Sequence, residues 1–139
     1  MVKQEIKINW LENMAFEADV SGHKITIDAG EQVGGENRGP RPKPLLMVGL
    51  AGCTAMDVIS ILKKMRIEPE EFNVRVEGDV TEEHPKQFER MKVIYEFKGE
   101  NLPMEKLQKA VSLSEERYCG VSAMYKKAIE MTSEIVILN

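Results

Sequence analysis

The sequence predicts an α+β protein with a mostly antiparallel sheet. Three observations lead there. Apolar and polar side chains alternate with period two near both ends of the chain. One long apolar stretch runs from Leu45 to Leu62. A segment rich in glycine and proline separates the first strands from that stretch. The chain has 139 residues, 42% of them apolar and 30% charged, which is one domain's length and enough for a core. Disordered and collagen-like classes are excluded.

Residues 2–28 read as strands. Ile6, Ile8 and Trp10 share one face, Phe16, Ala18 and Val20 repeat the period, and Ile25 and Ile27 continue it. Asn13 and Ser21-Gly22 punctuate them, so a three-stranded antiparallel meander with one buried face is expected. Residues 29–41 are a loop holding Gly30, Gly34, Gly35, Gly39, Arg38 and Arg41. A central helix over 42–66, opened by Pro42 and Pro44, would be about 35 Å long. Its first half is apolar nearly all round, which predicts burial on every side. One sheet covers one side, so a second subunit is the natural cover for the other, and Gly49, Gly52 and Ala55 leave room for close approach. Residues 71–138 return to strands around Val74–Val80 and Met91–Lys98, with a turn at His84-Pro85. A helix from Pro103 to about Tyr118 follows, broken by Cys119-Gly120. A short helix from Val121 to Ala128 and a last strand from Ile135 to Leu138 complete a single domain, 1–139.

The formal net charge is −4 and the isoelectric point about 5.3. Phosphate affinity comes from clustered Lys and Arg, so a general nucleic-acid binder is not expected. Met1 to Trp10 lacks the apolar core and cleavage site of a secretory signal. The stretch from Leu45 to Leu62 approaches a membrane span in length. It carries Asp57, however, and a carboxylate inside a bilayer is costly. It reads as a buried helix of a soluble, cytoplasmic protein with no membrane span.

Cys53 and Cys119 are the two cysteines. In a reducing compartment, one thiol on each of two helices meets the needs of a dithiol/disulfide couple. In peroxide reduction one thiolate attacks the distal oxygen, and the second thiol condenses with the resulting sulfenic acid. Cys53 alone also suits a small core position. Cys119 lies where one helix ends and another begins, near Arg117, and local amide donors and positive charge make it the more ionisable thiol. Arg38 and Arg41, just before the central helix, are candidates to stabilise a Cys53 thiolate. Asp57, one turn after Cys53, works against a thiolate, so it should point elsewhere or be neutralised by a basic residue. Cys53, Cys119, His23 and His84 show no zinc-site spacing. The glycines do not form a phosphate loop, and no serine nucleophile elbow is present. No cofactor and no metal are expected.

The stretches Arg41-Pro42-Lys43-Pro44-Leu45-Leu46-Met47 and Leu50-Ala51-Gly52-Cys53-Thr54-Ala55-Met56-Asp57-Val58 resemble the peroxidatic helix of the OsmC/Ohr family, the osmotically inducible and organic hydroperoxide resistance proteins. Leu113-Ser114-Glu115-Glu116-Arg117-Tyr118-Cys119-Gly120-Val121-Ser122 resembles that family's second cysteine segment. The resemblance runs nearly end to end and is closest to the OsmC-like branch with a Gly-Cys-(Ser/Thr)-Ala-(Ile/Met)-Asp helix. It implies an intertwined homodimer with active sites at the interface, and thiol-dependent reduction of organic hydroperoxides. It also implies Cys53 as the peroxidatic thiol, Cys119 as the resolving thiol, and an external dithiol as reductant. Two features depart from the family pattern. No arginine precedes Arg38, whereas the characterised reductases draw one from the N-terminal hairpin region. Lys43 stands where they carry a glutamate. Arg41 or Arg38 is then the expected activator. The alternative is a non-catalytic or weakly active stress-related dimer that binds an apolar small molecule, with Met47, Met56, Met65, Met104 and Met124 on elements that could line its cleft.

Overall fold

The structure is a computed structural model that describes residues 1–139. It is α+β, with two three-stranded sheets and a set of helices. The chain forms two compact units, Met1–Leu46 and Met47–Asn139.

The first unit is the expected antiparallel meander: β1 (Ile8–Glu12), β2 (Ala15–Val20) and β3 (His23–Ile27), in that order across the sheet. Phe16 faces Ile27 and Ala18 faces Ile25 across β2 and β3. Ser21 and Gly22 both have positive φ, 51° and 81°, as a two-residue hairpin with native strand twist requires. The single buried face expected here is incomplete, because Ile6, Ile8 and Trp10 remain exposed. The loop after β3 is nested on one side chain. Buried Asp28 accepts N–H groups from Ala29 at 2.7 Å and from Glu36 and Arg38 at 3.1 Å each. Burial pushes its carboxyl up, but these three amides, helped by the Arg38 charge, outweigh that and hold it below the usual carboxylate range. Gly39 passes so close to the Thr26 carbonyl that a Cβ would collide with it.

The helix α1 runs Pro44–Lys64, two residues shorter at each end than the sequence predicts. Pro42 and Lys43 instead form the turn that leads in, accepting from Leu45 and Leu46 N–H. Within one chain α1 is not buried on all sides. Leu50, Thr54, Val58 and Leu62 form one fully covered stripe at four-residue spacing, while Val48 and Met56 are 62% and 73% exposed. By length and composition α1 is also apolar enough to cross a membrane.

In the second unit, β4 (Glu71–Val80) and β5 (Phe88–Lys98) pair antiparallel, and β6 (Glu130–Ile137) adds parallel to β5. β5 is therefore central, and Met91, Val93, Tyr95 and Phe97 alternate into the core. A parallel neighbour needs a crossover, and the helices after β5 supply it. They are α2 (Met104–Leu113), a π-helical turn (Ser114–Tyr118) and α3 (Gly120–Tyr125). Leu107, Ala110 and Val111 of α2 join the α1 stripe and the β5 side chains in one cluster that includes Cys119. Each fully buried Leu or Phe there contributes about 1.5–3 kcal/mol. The last strand starts five residues earlier than its apolar end suggests, because Glu130–Glu134 form ladder bonds whatever their side chains.

Candidate active site

Cys53 lies on α1, on the edge of the buried stripe, one residue before Thr54. The second thiol depends on the π turn. The Cys119 N–H reaches back five residues to the Ser114 carbonyl at 2.7 Å, and the wider turn leaves Cys119 in an extended conformation (φ −77°, ψ 101°). There it caps α3, its Sγ accepting the Ser122 N–H at 3.3 Å. The result is that Cys53 Sγ, Cys119 Sγ and an Asp57 carboxylate oxygen all lie within 4.8 Å of one another. Cys119 is 2% exposed, and Cys53 and Asp57 are half-buried.

Asp57 neither points away nor meets a basic residue, which corrects the expectation from its position. Four residues after Cys53 is one helical turn, so the carboxylate lies beside the thiol on the same face. Its partner is a hydroxyl: Ser114 Oγ donates to Asp57 Oδ2 at 3.0 Å. Burial pushes the Cys53 thiol up, contact with Cys119 and the Asp57 charge add to that, and the Val121 backbone N–H offsets only part of it.

Behind the thiols is a buried chain of hydroxyls that sequence reasoning missed. Thr54 Oγ1 is 2.8 Å from both Ser114 Oγ and Tyr95 Oη, and Tyr95 Oη donates to Glu115 Oε2 at 2.9 Å. Ser133 Oγ donates to Glu115 Oε1 at 3.1 Å. Since Ser114 gives its proton to Asp57, it accepts the single proton of Thr54, and the Tyr95 phenol then has one proton to share between Thr54 Oγ1 and Glu115 Oε2. Burial and the Glu115 carboxylate push the Tyr95 phenol far above its ordinary range, against the Thr54 hydrogen bond, so it remains a neutral donor. Thr54, Ser114 and Tyr95 are fully covered, yet no buried side-chain polar atom lacks a partner. The signal in the sequence was faint: a threonine on an otherwise apolar stripe and a tyrosine among core-facing β5 positions.

The two arginines lie in the first unit. Arg41 Nη1 donates to Asn37 Oδ1 at 2.8 Å and to the Gly39 carbonyl at 2.9 Å. Arg38 pairs with Glu12 at 3.7 Å. His23 begins β3 and His84 sits in the β4–β5 turn, and the donor cluster contains no histidine.

A cleft of about 460 Å³ opens beside Asp57, lined by Ser60, Ile61, Lys64, Leu113 and Tyr118. Chemically, two thiols at this separation can close a disulfide with side-chain rotation, and the half-buried one can meet a small substrate.

Known proteins resemble this chain in sequence or in fold. Protein YhfA of Escherichia coli is 30% identical over 129 residues, covering 92% of this chain and 93% of its own. A hypothetical protein from Aquifex aeolicus matches over the whole of both chains, with TM-score 0.84 and 30% identity. A structure described as an organic hydroperoxide resistance protein from Elizabethkingia anophelis has TM-score 0.74 at 15% identity, covering 99% of this chain and 98% of that one, which is a likeness of fold. Residues 34–134, which hold both cysteines, Asp57 and the hydroxyl chain, match the family described as OsmC-like protein. The chain belongs to the OsmC/Ohr family.

Proposed function

We propose that this protein reduces organic hydroperoxides with the Cys53/Cys119 couple. The observation that carries the reading is the approach of the two sulfurs to within 4.8 Å across two helices. Cys53 is the half-buried thiol and attacks the distal peroxide oxygen. The O–O bond breaks, an alcohol leaves after taking a proton, and Cys53 becomes a sulfenic acid. Cys119, buried at 2% exposure, needs to meet only Cys53, and it condenses to give the disulfide and water. The two thiols supply the two electrons, and an external dithiol restores them by exchange.

The couple needs an activator, because burial, Cys119 and Asp57 together outweigh the Val121 amide and hold the Cys53 proton on. Arg41 or Arg38 supplies it once the guanidinium leaves its own-chain partners, and in a homodimer the group comes from either copy. The exposed apolar face of α1, with Val48 and Met56 uncovered, supports such a dimer with sites at the interface. A second copy also accounts for that face better than a bilayer does, since α1 carries Asp57. The protein is then cytoplasmic.

The test is turnover of cumene hydroperoxide by the purified chain with excess dithiol. Cys53→Ser should abolish it, and Cys119→Ser, oxidised with one equivalent of peroxide in the absence of dithiol, should hold Cys53 as a sulfenic acid instead of a disulfide. Turnover by Cys53→Ser at the wild-type rate refutes the reading. The raised Cys53 thiol favours a second reading, a weakly active dimer that binds an apolar molecule. Rapid alkylation of Cys53 at about pH 6.5 counts against it, since a free thiol ionises near 8.5.

A further inference from the structure

We propose that the reduced protein binds one divalent cation of the zinc type through Cys53 Sγ, Cys119 Sγ and the Asp57 carboxylate. Binding does not rest on the peroxide chemistry, although the cation and a disulfide exclude one another because both use the same sulfurs.

Geometry is the first support. Three donors no more than 4.8 Å apart leave a point within about 2.8 Å of each, against zinc–sulfur and zinc–oxygen bonds of about 2.3 and 2.0–2.2 Å. Closing the difference takes small rotations of side chains, for which half-buried Cys53 and Asp57 have more room than buried Cys119. Donor chemistry is the second. Two thiolates with one carboxylate select a borderline-soft ion over magnesium or calcium, which want oxygen ligands throughout. A divalent charge offsets the repulsion that two thiolates and a carboxylate would otherwise suffer in a half-buried site.

The groups behind the donors are the third. A ligating carboxylate works best when a hydrogen bond fixes it, and Ser114 Oγ already holds Asp57 Oδ2. Ser114 is itself fixed by Thr54, and Thr54 by Tyr95, all fully buried. Cys119 Sγ accepts a backbone amide from Ser122, which steadies a thiolate ligand. Three protein donors leave a fourth tetrahedral position for water or an added ligand, and one of the donors, Asp57, lines an open cleft.

The experiment titrates the reduced full-length chain with Co²⁺ in the absence of oxygen and then displaces it with Zn²⁺. The expected result is one cobalt per chain with thiolate-to-cobalt charge-transfer absorption and strong visible bands of a tetrahedral site. Asp57→Asn should keep the sulfur bands but bind about 10-fold more weakly, and Ser114→Ala should weaken binding by up to about 10-fold. Independently of any variant, equimolar Zn²⁺ should protect both wild-type thiols from maleimide, and Mg²⁺ should not. Absence of the charge-transfer band, or equal alkylation with and without Zn²⁺, overturns the proposal. So does unchanged affinity in a folded Asp57→Asn chain, which would make the cation a ligand of the bare dithiol. No peroxide enters any of these measurements, so their outcome is separate from that of the turnover assay.

Discussion

Thr54→Val removes one hydroxyl at a fully buried position while keeping the shape of the side chain. Two contacts of 2.8 Å disappear, to Ser114 Oγ and Tyr95 Oη. The Ser114 bond contributes about 1 kcal/mol and the Tyr95 contact, which shares the one phenol proton with Glu115, about 0.5 kcal/mol; the added buried methyl offsets about 0.8 kcal/mol, so about 0.5–1 kcal/mol of destabilisation is expected. Tyr95→Phe removes the one phenol proton that the Thr54 and Glu115 Oε2 contacts share, for about 1–1.5 kcal/mol. The Thr54–Tyr95 contact is lost once in the double variant but counted in both single ones. The double variant should therefore lose about 0.5 kcal/mol less than the sum. Urea unfolding of the reduced chains reads this directly, at one fixed protein concentration so that any self-association contributes equally. A sum that holds within about 0.3 kcal/mol, with unchanged denaturant slopes, places the phenol proton on Glu115 alone and refutes the Thr54–Tyr95 link.

Asp28 makes a prediction with a defined sign. Its folded carboxyl ionises below the reference value of 3.8, so its stabilisation is present above that pH and is lost as pH falls through the lower folded value. Asp28→Asn should therefore lower the melting temperature at pH 7, and the gap to wild type should narrow below about pH 3.8; an equal gap at about pH 7 and 3 counts against the carboxylate as the loop's anchor. If the exposed face of α1 is the interface of the proposed dimer, Met56→Glu, at a position 73% exposed in the single chain, should sediment as a monomer where the wild type sediments as a dimer, with the far-ultraviolet spectrum unchanged. An undiminished dimer would place the interface elsewhere. Gly39→Ala should destabilise the first unit, because its new methyl meets the Thr26 carbonyl; an unchanged melting temperature would show that the loop shifts freely.

The helix and strand pattern was legible because it is local. The period-two runs of Ile6–Trp10, Phe16–Val20 and Met91–Phe97 and the apolar run from Leu45 state their preference residue by residue. The two cysteine segments carried the family in the same local way, and the family match covers both. Less legible was the extent of burial, because exposure depends on what covers a face. Trp10 and Met56 are apolar by composition and largely exposed in the single chain.

The sequence by itself determined the α+β class, the order of elements, the family and the two thiols. The tertiary structure decided which groups meet. A π turn sets Cys119 and Ser114 against α1, and no periodicity announces one. Asp57 joins the thiols instead of avoiding them, because its partner Ser114 comes from a helix far along the chain. Thr54, Tyr95 and Glu115 become one hydrogen-bonded chain only when α1, β5 and the π turn pack together. Local preferences are set by neighbouring residues, whereas these contacts are set by how distant elements pack, and that packing is what chooses the chemistry of the site.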